Sequence, residues 1–323
     1  MFAVLRLPGW LQRSLDAAAE SLLNSAQCRR VDFANPRGEA ALLSPNSVSW
    51  RVFRNPIALF VGGVAAVILE LAEPSIRAGI WEHSSFRRDP VGRLQRTGLA
   101  AMTTVFGPRS VAESMIARVV RMHSTVMGTT RSGASYSASD AKLLTWVHAT
   151  AGYGFGHAYS RYVAPLSAEE FDNLYREAAP IAQLYGADDA PPSSAALKAY
   201  FTAMAPRLEA SSVIFEFLQI MRTAPAIPRL LRWLQPVLIG GAVDLLPEAL
   251  RERLGLGARY GLRCYQRPIL KLAGALADRI VLTNSPASQA CIRLGLPATY
   301  LHAGLHFQLE QAAPEAPAYT SKV

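Results

Sequence analysis

Signals that start and stop helices recur along the whole chain, and they constrain the fold more than any other feature of the sequence. Asn55 followed by Pro56 is typical of an N-cap with proline at the first helical position, and Pro74 ends the same helix. Two pairs have the spacing of a capping box, Ser110 with Glu113 and Ser167 with Glu170. Sustained alternation of apolar and polar residues, which indicates strands, does not occur. The sequence therefore predicts an all-α protein.

The predicted helices belong to a single domain. The chain has 323 residues, of which 50% are hydrophobic and 18% charged, so it can bury a large core. Further helices are predicted over 93–106, 110–127, 143–151, 167–185, 195–204, 206–222, 246–255 and 268–278. We predict an amphipathic N-terminal helix and lead-in over 1–44, a multi-helical domain around a buried pocket over 45–310, and a frayed tail over 311–323.

The most apolar stretch, Ile57 to Leu69, has 13 residues before Glu70 interrupts it. A membrane span needs 18 or more, so this stretch is predicted to be a buried core helix. Gly62 and Gly63 lie within it at a cost to helix propensity. Such a pair indicates the close approach of something large, either a second helix or a flat ligand.

The net charge of +9 would suit an anionic partner, either nucleic acid or lipid. The longest basic runs are only arginine pairs, at 29–30 and 87–88, with no aromatic residues between them, so we expect no binding of nucleic acid. The basic helix predicted from Leu5 to Leu23 favours peripheral contact with anionic lipid. Three cysteines without CxxC spacing indicate reduced thiols and therefore a cytoplasmic protein. The predicted basic helix would bring this protein to the membrane surface.

No common motif for nucleotides, hydrolase nucleophiles or zinc is present. His123 recurs with Met115, Val119, Met122 and Val126 at spacings of three and four, which places it in a predicted apolar stripe. Two interpretations stay open for it: an axial ligand to a buried porphyrin, or a hydrogen-bonded core histidine.

The same choice applies to His148, and its neighbour Trp146 either lines a pocket or belongs to the core. His302 and His306 are four residues apart, but two ligands make an incomplete metal site.

Several segments, taken in order, resemble the MpaB and latex-clearing (rubber oxygenase) family, which is all-helical and binds haem b. The resemblance covers about residues 45–260 and rests on the order and spacing of the segments rather than on any single one. They are FVGGVAAVILELAEPSIRAGIWEHSSFRRDPVGRLQRT, the VFG at 105–107, RMHSTVMG, YSASDAKLLTWVHAT and LSAEEFDNLYRE.

The resemblance implies that His123 is the proximal haem ligand. It also implies a distal side formed by an RxxKT pattern, here Arg93, Arg96 and Thr97, which would donate hydrogen bonds to oxygen. Arg96 stands where the rubber oxygenases have lysine, and a guanidinium has no free lone pair for iron. The cofactor-binding residues are predicted to be His123, His148, Trp146, Gly62 and Gly63.

The expected function is that of a haem b-dependent oxygenase, with dioxygen and an apolar organic molecule as substrates. The organic substrate is either a small molecule or a polymer, and unsaturated molecules are among the candidates. Because of the Arg96 departure, polyisoprene cleavage is not carried over to this chain with the fold. The first alternative is a haem-binding or gas-sensing protein without catalysis. The second is a membrane-peripheral helical protein without a cofactor, in which both His123 and His148 are core residues.

Overall fold

The computed structural model describes residues 31–302 together with Leu5, Pro8, Gly9, Gln12, Arg13 and Asp16. Within this part of the chain there are thirteen α-helices and one two-stranded hairpin, so the all-α prediction is confirmed. The helices are α1 Val48–Phe53, α2 Pro56–Ala72, α3 Pro74–His83, α4 Pro90–Phe106, α5 Arg109–His123, α6 Ala141–Tyr162, α7 Ala168–Leu184, α8 Ser194–Met204, α9 Ser212–Thr223, α10 Gln235–Leu245, α11 Glu248–Arg253, α12 Gln266–Ala277 and α13 Pro286–Arg293.

Two of the predicted N-caps are confirmed. The Asn55 side chain accepts from the amides of Ile57 and Ala58, and α2 ends before Pro74 as expected. Ser167 and Glu170 form a complete capping box at the start of α7. These caps are local, because each pairs a side chain with backbone two or three residues away.

The predicted capping box at Ser110 is wrong. Helix α5 begins after Pro108, and the Ser110 amide donates to the Glu39 carboxylate at 2.7 Å. A carboxylate from a distant segment therefore satisfies this helix start. Helix α4 also begins earlier than predicted, at Pro90, because Asp89 accepts from the Gly92 amide at 2.9 Å.

Helix α5 ends at His123, several residues before the Gly128 stop that the sequence predicts. Residues 127–137, predicted as helix end and polar loop, instead form strands β1 Met127–Thr129 and β2 Ser135–Ser137, which pair antiparallel with Gly128 opposite Tyr136. The predicted apolar stripe of α5 is correspondingly short, since Met115 is buried but Met122 is 56% exposed. The histidine thus lies at a helix terminus, where side chains of other elements can reach it.

Helices α2 and α6 pack against each other along most of their lengths and form the centre of the main core. Their backbones come closest at Gly62 and Gly154, where a Cβ atom on Gly62 would lie 2.7 Å from the Gly154 carbonyl oxygen. A Cβ on the neighbouring Gly63 would find its nearest atom, on the Phe155 ring, at 3.8 Å. The two glycines therefore differ: the first is required by a helix crossing and the second is not.

We expect Gly62→Ala to lower the free energy of unfolding by about 2–3 kcal/mol, because the backbones of two helices would have to move apart. Gly63→Ala is the matched control, since it has room for the methyl group and should gain about 0.5–1 kcal/mol from helix propensity. Urea unfolding followed by circular dichroism measures both. Equal effects of the two substitutions would contradict the packing at this crossing.

A second, smaller core holds α4 in place against α1 and α13. Its centre is Arg293, whose buried guanidinium donates to the carbonyl oxygens of Glu39, Phe33 and Phe106 at 2.7–2.8 Å. Phe106 is the last residue of α4, so this arginine satisfies a carbonyl that the helix leaves without an internal partner. The C-terminal end of α4 is thereby fixed.

Several predictions concern other parts of the molecule. No single helix among residues 31–302 is long and apolar enough to cross a membrane, although the bent pair α2 and α3 would pass by length and composition. Cys264 is an exposed free thiol and Cys291 a buried one, while Cys28 lies outside the described residues. Most of the predicted N-terminal helix, the tail over 311–323 and His306 also lie outside them, and His302 bonds to the Asp278 carbonyl at 3.0 Å. The helix predicted over 206–222 begins later, at Ser212.

Candidate functional site

Two helix faces, one on α2 and one on α6, consist of partly exposed residues, and only one of these residues is acidic and none is basic apart from a histidine. On α2 the face is Phe60, Gly63, Val67 and Glu70, and on α6 it is Leu144, His148, Ala151 and Phe155. Spacings of three, four and seven place the residues of each set on one side of the helix. Glu70 and His148 show the pKa shifts of deeply buried groups while remaining partly exposed. A recess between the helices that is lined by these two faces accounts both for the partial exposure and for the pKa shifts. We call it the central recess.

Glu70 is the acidic group of the central recess. Burial raises the pKa of its carboxyl group to about 7, and the positive charge of Arg93 on α4 and the hydroxyl of Thr150 on α6 offset part of that rise. Burial also lowers the pKa of Arg93, and the charge of Glu70 opposes that change. The charges of the two side chains therefore interact between α2 and α4, and the pKa of the Glu70 carboxyl group lies near neutral pH.

Arg93 is held by its own helix as well. Its guanidinium donates to the Thr97 hydroxyl one turn later, and that hydroxyl donates to the Arg93 carbonyl oxygen at 2.9 Å. Arg96 makes different contacts: it donates to the Ser85 hydroxyl and forms an ion pair with Asp89 at 3.3 Å, towards the start of α4. The structure thus brings Arg93 and Thr97 together, while a catalytic role for Arg96 stays a prediction.

His123 lies within reach of the same arginine. Burial lowers the pKa of its imidazole, and the positive charge of Arg93 lowers it further, so the ring is neutral at pH 7. Its Nδ1 atom is buried and has no hydrogen-bond partner, and the described part of the chain offers none to Nε2. A neutral imidazole without partners is suited to binding a metal.

His148 is a second neutral imidazole, and it lies on the α6 face of the central recess. Burial alone lowers its pKa to about 4, and its ring has no hydrogen bond to the described residues. His157, two turns further along α6, is different: its Nδ1 bonds to the Tyr153 carbonyl at 2.9 Å and its ring stacks on Tyr153. His157 is therefore an ordinary core histidine, and the two candidate ligands are His123 and His148.

Two of the predicted cofactor-binding residues have other roles. Trp146 is 0% exposed, donates from Nε1 to the Leu69 carbonyl at 3.1 Å and packs on Phe201. It belongs to the core and not to the central recess. Gly62 faces the backbone of α6, which occupies the space that a ligand would need. Of the predicted glycine pair, Gly63 alone lies on the accessible face.

Sequence reasoning missed Glu70 and Thr150 as site residues. One signal was available for Glu70, since an acidic residue that ends a 13-residue apolar run is buried with it and needs a partner. No signal existed for Thr150, whose position opposite Glu70 follows from the α2–α6 packing. No group of three or more His, Cys, Asp or Glu side chains in residues 31–302 has the arrangement of a metal site.

The raised pKa of Glu70 predicts how stability depends on pH. The folded chain holds this proton up to about pH 7, whereas the unfolded chain releases it near pH 4.5, so stability falls as the pH rises between these values. Glu70→Gln removes this titration. Relative to the wild type, the variant should therefore gain about 2–3 kcal/mol between pH 5 and pH 8.

Urea unfolding at both pH values measures this gain, and Glu113→Gln on the exposed side of α5 is the control that should show none. A constant difference between Glu70→Gln and wild type would mean that Glu70 stays ionised against Arg93 throughout this range.

Comparison with known proteins shows the family to which the chain belongs. The family model described as "ER-bound oxygenase mpaB/B'/Rubber oxygenase, catalytic domain" matches residues 50–277. These limits include α2 and α6, which carry the residues of the central recess, and also α4 and α5, which carry Arg93 and His123. Searches of curated proteins and of solved structures give no significant match. The chain belongs to the mpaB/rubber oxygenase family, and residues 50–277 are its oxygenase catalytic domain.

Proposed function

We propose that the protein is a haem b-dependent oxygenase that uses dioxygen to oxidise an apolar, unsaturated organic substrate. The observation that carries the proposal is the charge of Arg93, which lowers the pKa of both Glu70 and His123. The charge of Arg93 thus acts on the Glu70 carboxyl group and on the neutral His123 imidazole, whose buried Nδ1 has no hydrogen-bond partner. An oxygenase domain with these three groups has the parts needed to hold a haem and to handle protons beside it.

The residues of the central recess fit a haem. The group needs a neutral nitrogen ligand, apolar walls and cations for its propionates. His123 offers the nitrogen with its orphaned Nδ1 and its lowered pKa, which keep the ring neutral and free of other partners. Phe60, Val67 and Leu144 offer partly exposed apolar surface. Haem b, when bound, supplies the redox-active iron for dioxygen chemistry.

The chain's own polar groups have separate tasks in this proposal. Arg93 offers the hydrogen-bond donors and the Thr97 hydroxyl holds its guanidinium in place, and a fixed donor beside developing negative charge lowers the barrier of an oxygen reaction. Glu70 stores or accepts a proton, because its pKa of about 7 leaves both forms populated near neutrality. Arg93 also keeps that carboxyl group from a still higher pKa.

The apolar character of the recess supports the substrate class. The positions that line the central recess on α2 and α6, other than Glu70 and His148, are all aliphatic, aromatic or glycine: Phe60, Gly63, Val67, Leu144, Ala151 and Phe155. Such a lining excludes water and offers no hydrogen bonds to a polar substrate. We therefore assign a hydrocarbon-like substrate, with the oxidisable double bond placed near Arg93.

Oxygen consumption by the haem-loaded protein tests this function. With a panel of apolar alkenes, we expect steady oxygen uptake and products that carry added oxygen, and the saturated analogues should give neither. Haem binding with no oxygen uptake on any alkene would contradict the proposal and favour a haem-binding or gas-sensing protein.

A further inference from the structure

A short segment between α9 and α10 exposes an unusual run of side chains. Residues Arg229–Leu234 form a 3-10 helix, and its first five residues, Arg-Leu-Leu-Arg-Trp, are all exposed. Leu230 is 87% exposed and Trp233 is 64% exposed. Large apolar side chains at this level of exposure, side by side, mark a surface that contacts something else. We call residues 229–233 the RLLRW segment.

The RLLRW segment is held firmly at its C-terminal end. Leu234 is buried, and the next residue, Gln235, donates from its side chain to the carbonyls of Met221 and Ala224 at 2.6 and 2.7 Å. These bonds fasten the start of α10 to the end of α9. The exposed leucines and tryptophan are therefore presented on a fixed support rather than on a frayed loop.

The charge around the segment is positive. Arg229 and Arg232 are exposed within it, and Arg222 lies on the last turn of α9, beside the Gln235 contacts. No acidic residue occurs between Glu216 and Asp244. Apolar side chains that alternate with arginines on one short segment match an anionic lipid surface, because the leucines and tryptophan enter the interface while the arginines meet the headgroups.

We propose that the RLLRW segment docks the protein on an anionic lipid bilayer. The apolar side chains of the segment are exposed, and a fluid bilayer accepts such side chains without a shaped counterpart, whereas a protein partner would need a matching cavity. Tryptophan with its amphipathic ring prefers the membrane interface. This proposal is independent of the oxygenase function, because no residue of the central recess takes part.

Vesicle flotation of the full chain tests the docking. Vesicles of phosphatidylcholine with phosphatidylserine should bind the protein, vesicles of phosphatidylcholine alone should bind it much more weakly, and salt should weaken the binding to the anionic vesicles. Leu230→Ser with Trp233→Ser should lower the partition coefficient at least tenfold. Arg229→Ala with Arg232→Ala should lower it by roughly fivefold for each arginine.

The matched controls remove the same types of exposed side chain at positions outside the RLLRW segment. Leu184→Ser removes an exposed leucine from the end of α7, and Arg118→Ala with Arg176→Ala removes two exposed arginines. Neither control should change the binding by more than twofold. Tryptophan fluorescence adds a direct readout, because brominated lipids should quench the wild type and lose most of that effect in Trp233→Phe.

Three results would overturn the proposal. The first is unchanged vesicle binding in Leu230→Ser with Trp233→Ser, which would assign any lipid contact to another part of the chain. The second is an equal loss in the controls. The third is a dimer in solution that this double variant converts to a monomer without a change in vesicle binding, which would make the segment an interface between two copies.

Discussion

We expect His123→Ala to lose stoichiometric haem binding. The buried Nδ1 of His123 has no partner within the protein, and the imidazole is neutral because burial and the charge of Arg93 lower its pKa. Replacing the ligand by a methyl group removes the metal bond and leaves only apolar contacts to hold the porphyrin. Titration with haemin, followed by the Soret band, should show saturation at one haem per chain for the wild type and none for the variant.

The critical comparison is with His148→Ala, since His148 is the other neutral imidazole of the recess. This variant should keep its Soret band. Full haem content in His123→Ala, together with loss in His148→Ala, would transfer the ligand role to His148. His157→Gln serves as the structural control, because His157 already bonds to the Tyr153 carbonyl and faces no ligand.

The second large effect is expected for Arg93→Ala, which should lower turnover by about 100-fold, the usual scale for one fixed donor beside developing charge. Haem occupancy should change little, because His123 remains. The substitution also removes the charge that lowers the pKa of Glu70, so the pH profile of the residual activity should move to higher pH. Steady-state oxygen uptake and the haem content of the same samples are the two measurements.

Thr97→Val separates the effect of positioning Arg93 from the effect of the Arg93 guanidinium itself. It removes the hydroxyl that bonds to Arg93 and keeps the side-chain volume. It should lower turnover by less than Arg93→Ala does. Arg118→Ala on the outside of α5 is the control for charge alone. If Arg93→Ala loses haem and activity in parallel, Arg93 anchors a propionate and the donor role is wrong.

The helices that could be predicted from the sequence are those with local boundaries. Asn55 and Ser167 cap their helices with their own side chains, so a few neighbouring residues are enough to recognise them. The start of α5 could not be predicted in this way, because its donor is satisfied by Glu39 from a remote segment. The early end of α5 was missed because a hairpin competes for residues 127–137.

In the candidate site, too, only some of the residues could be predicted from the sequence. His123 and Arg93 follow from a sequence pattern and a family resemblance, and the structure places them near one another. Glu70 and Thr150 depend on how α2, α4 and α6 pack, which no local pattern records. The difference between Gly62 and Gly63 likewise exists only once α6 lies across the first of them.

The absorption spectrum of the purified full-length chain with haemin tests the central claim most directly. We expect a sharp Soret band that reaches its maximum at one haem per chain, and a shift of that band when the reduced protein meets dioxygen or carbon monoxide. A spectrum equal to that of free haemin, with no saturation at one equivalent, would contradict the assignment of His123 and the central recess to haem.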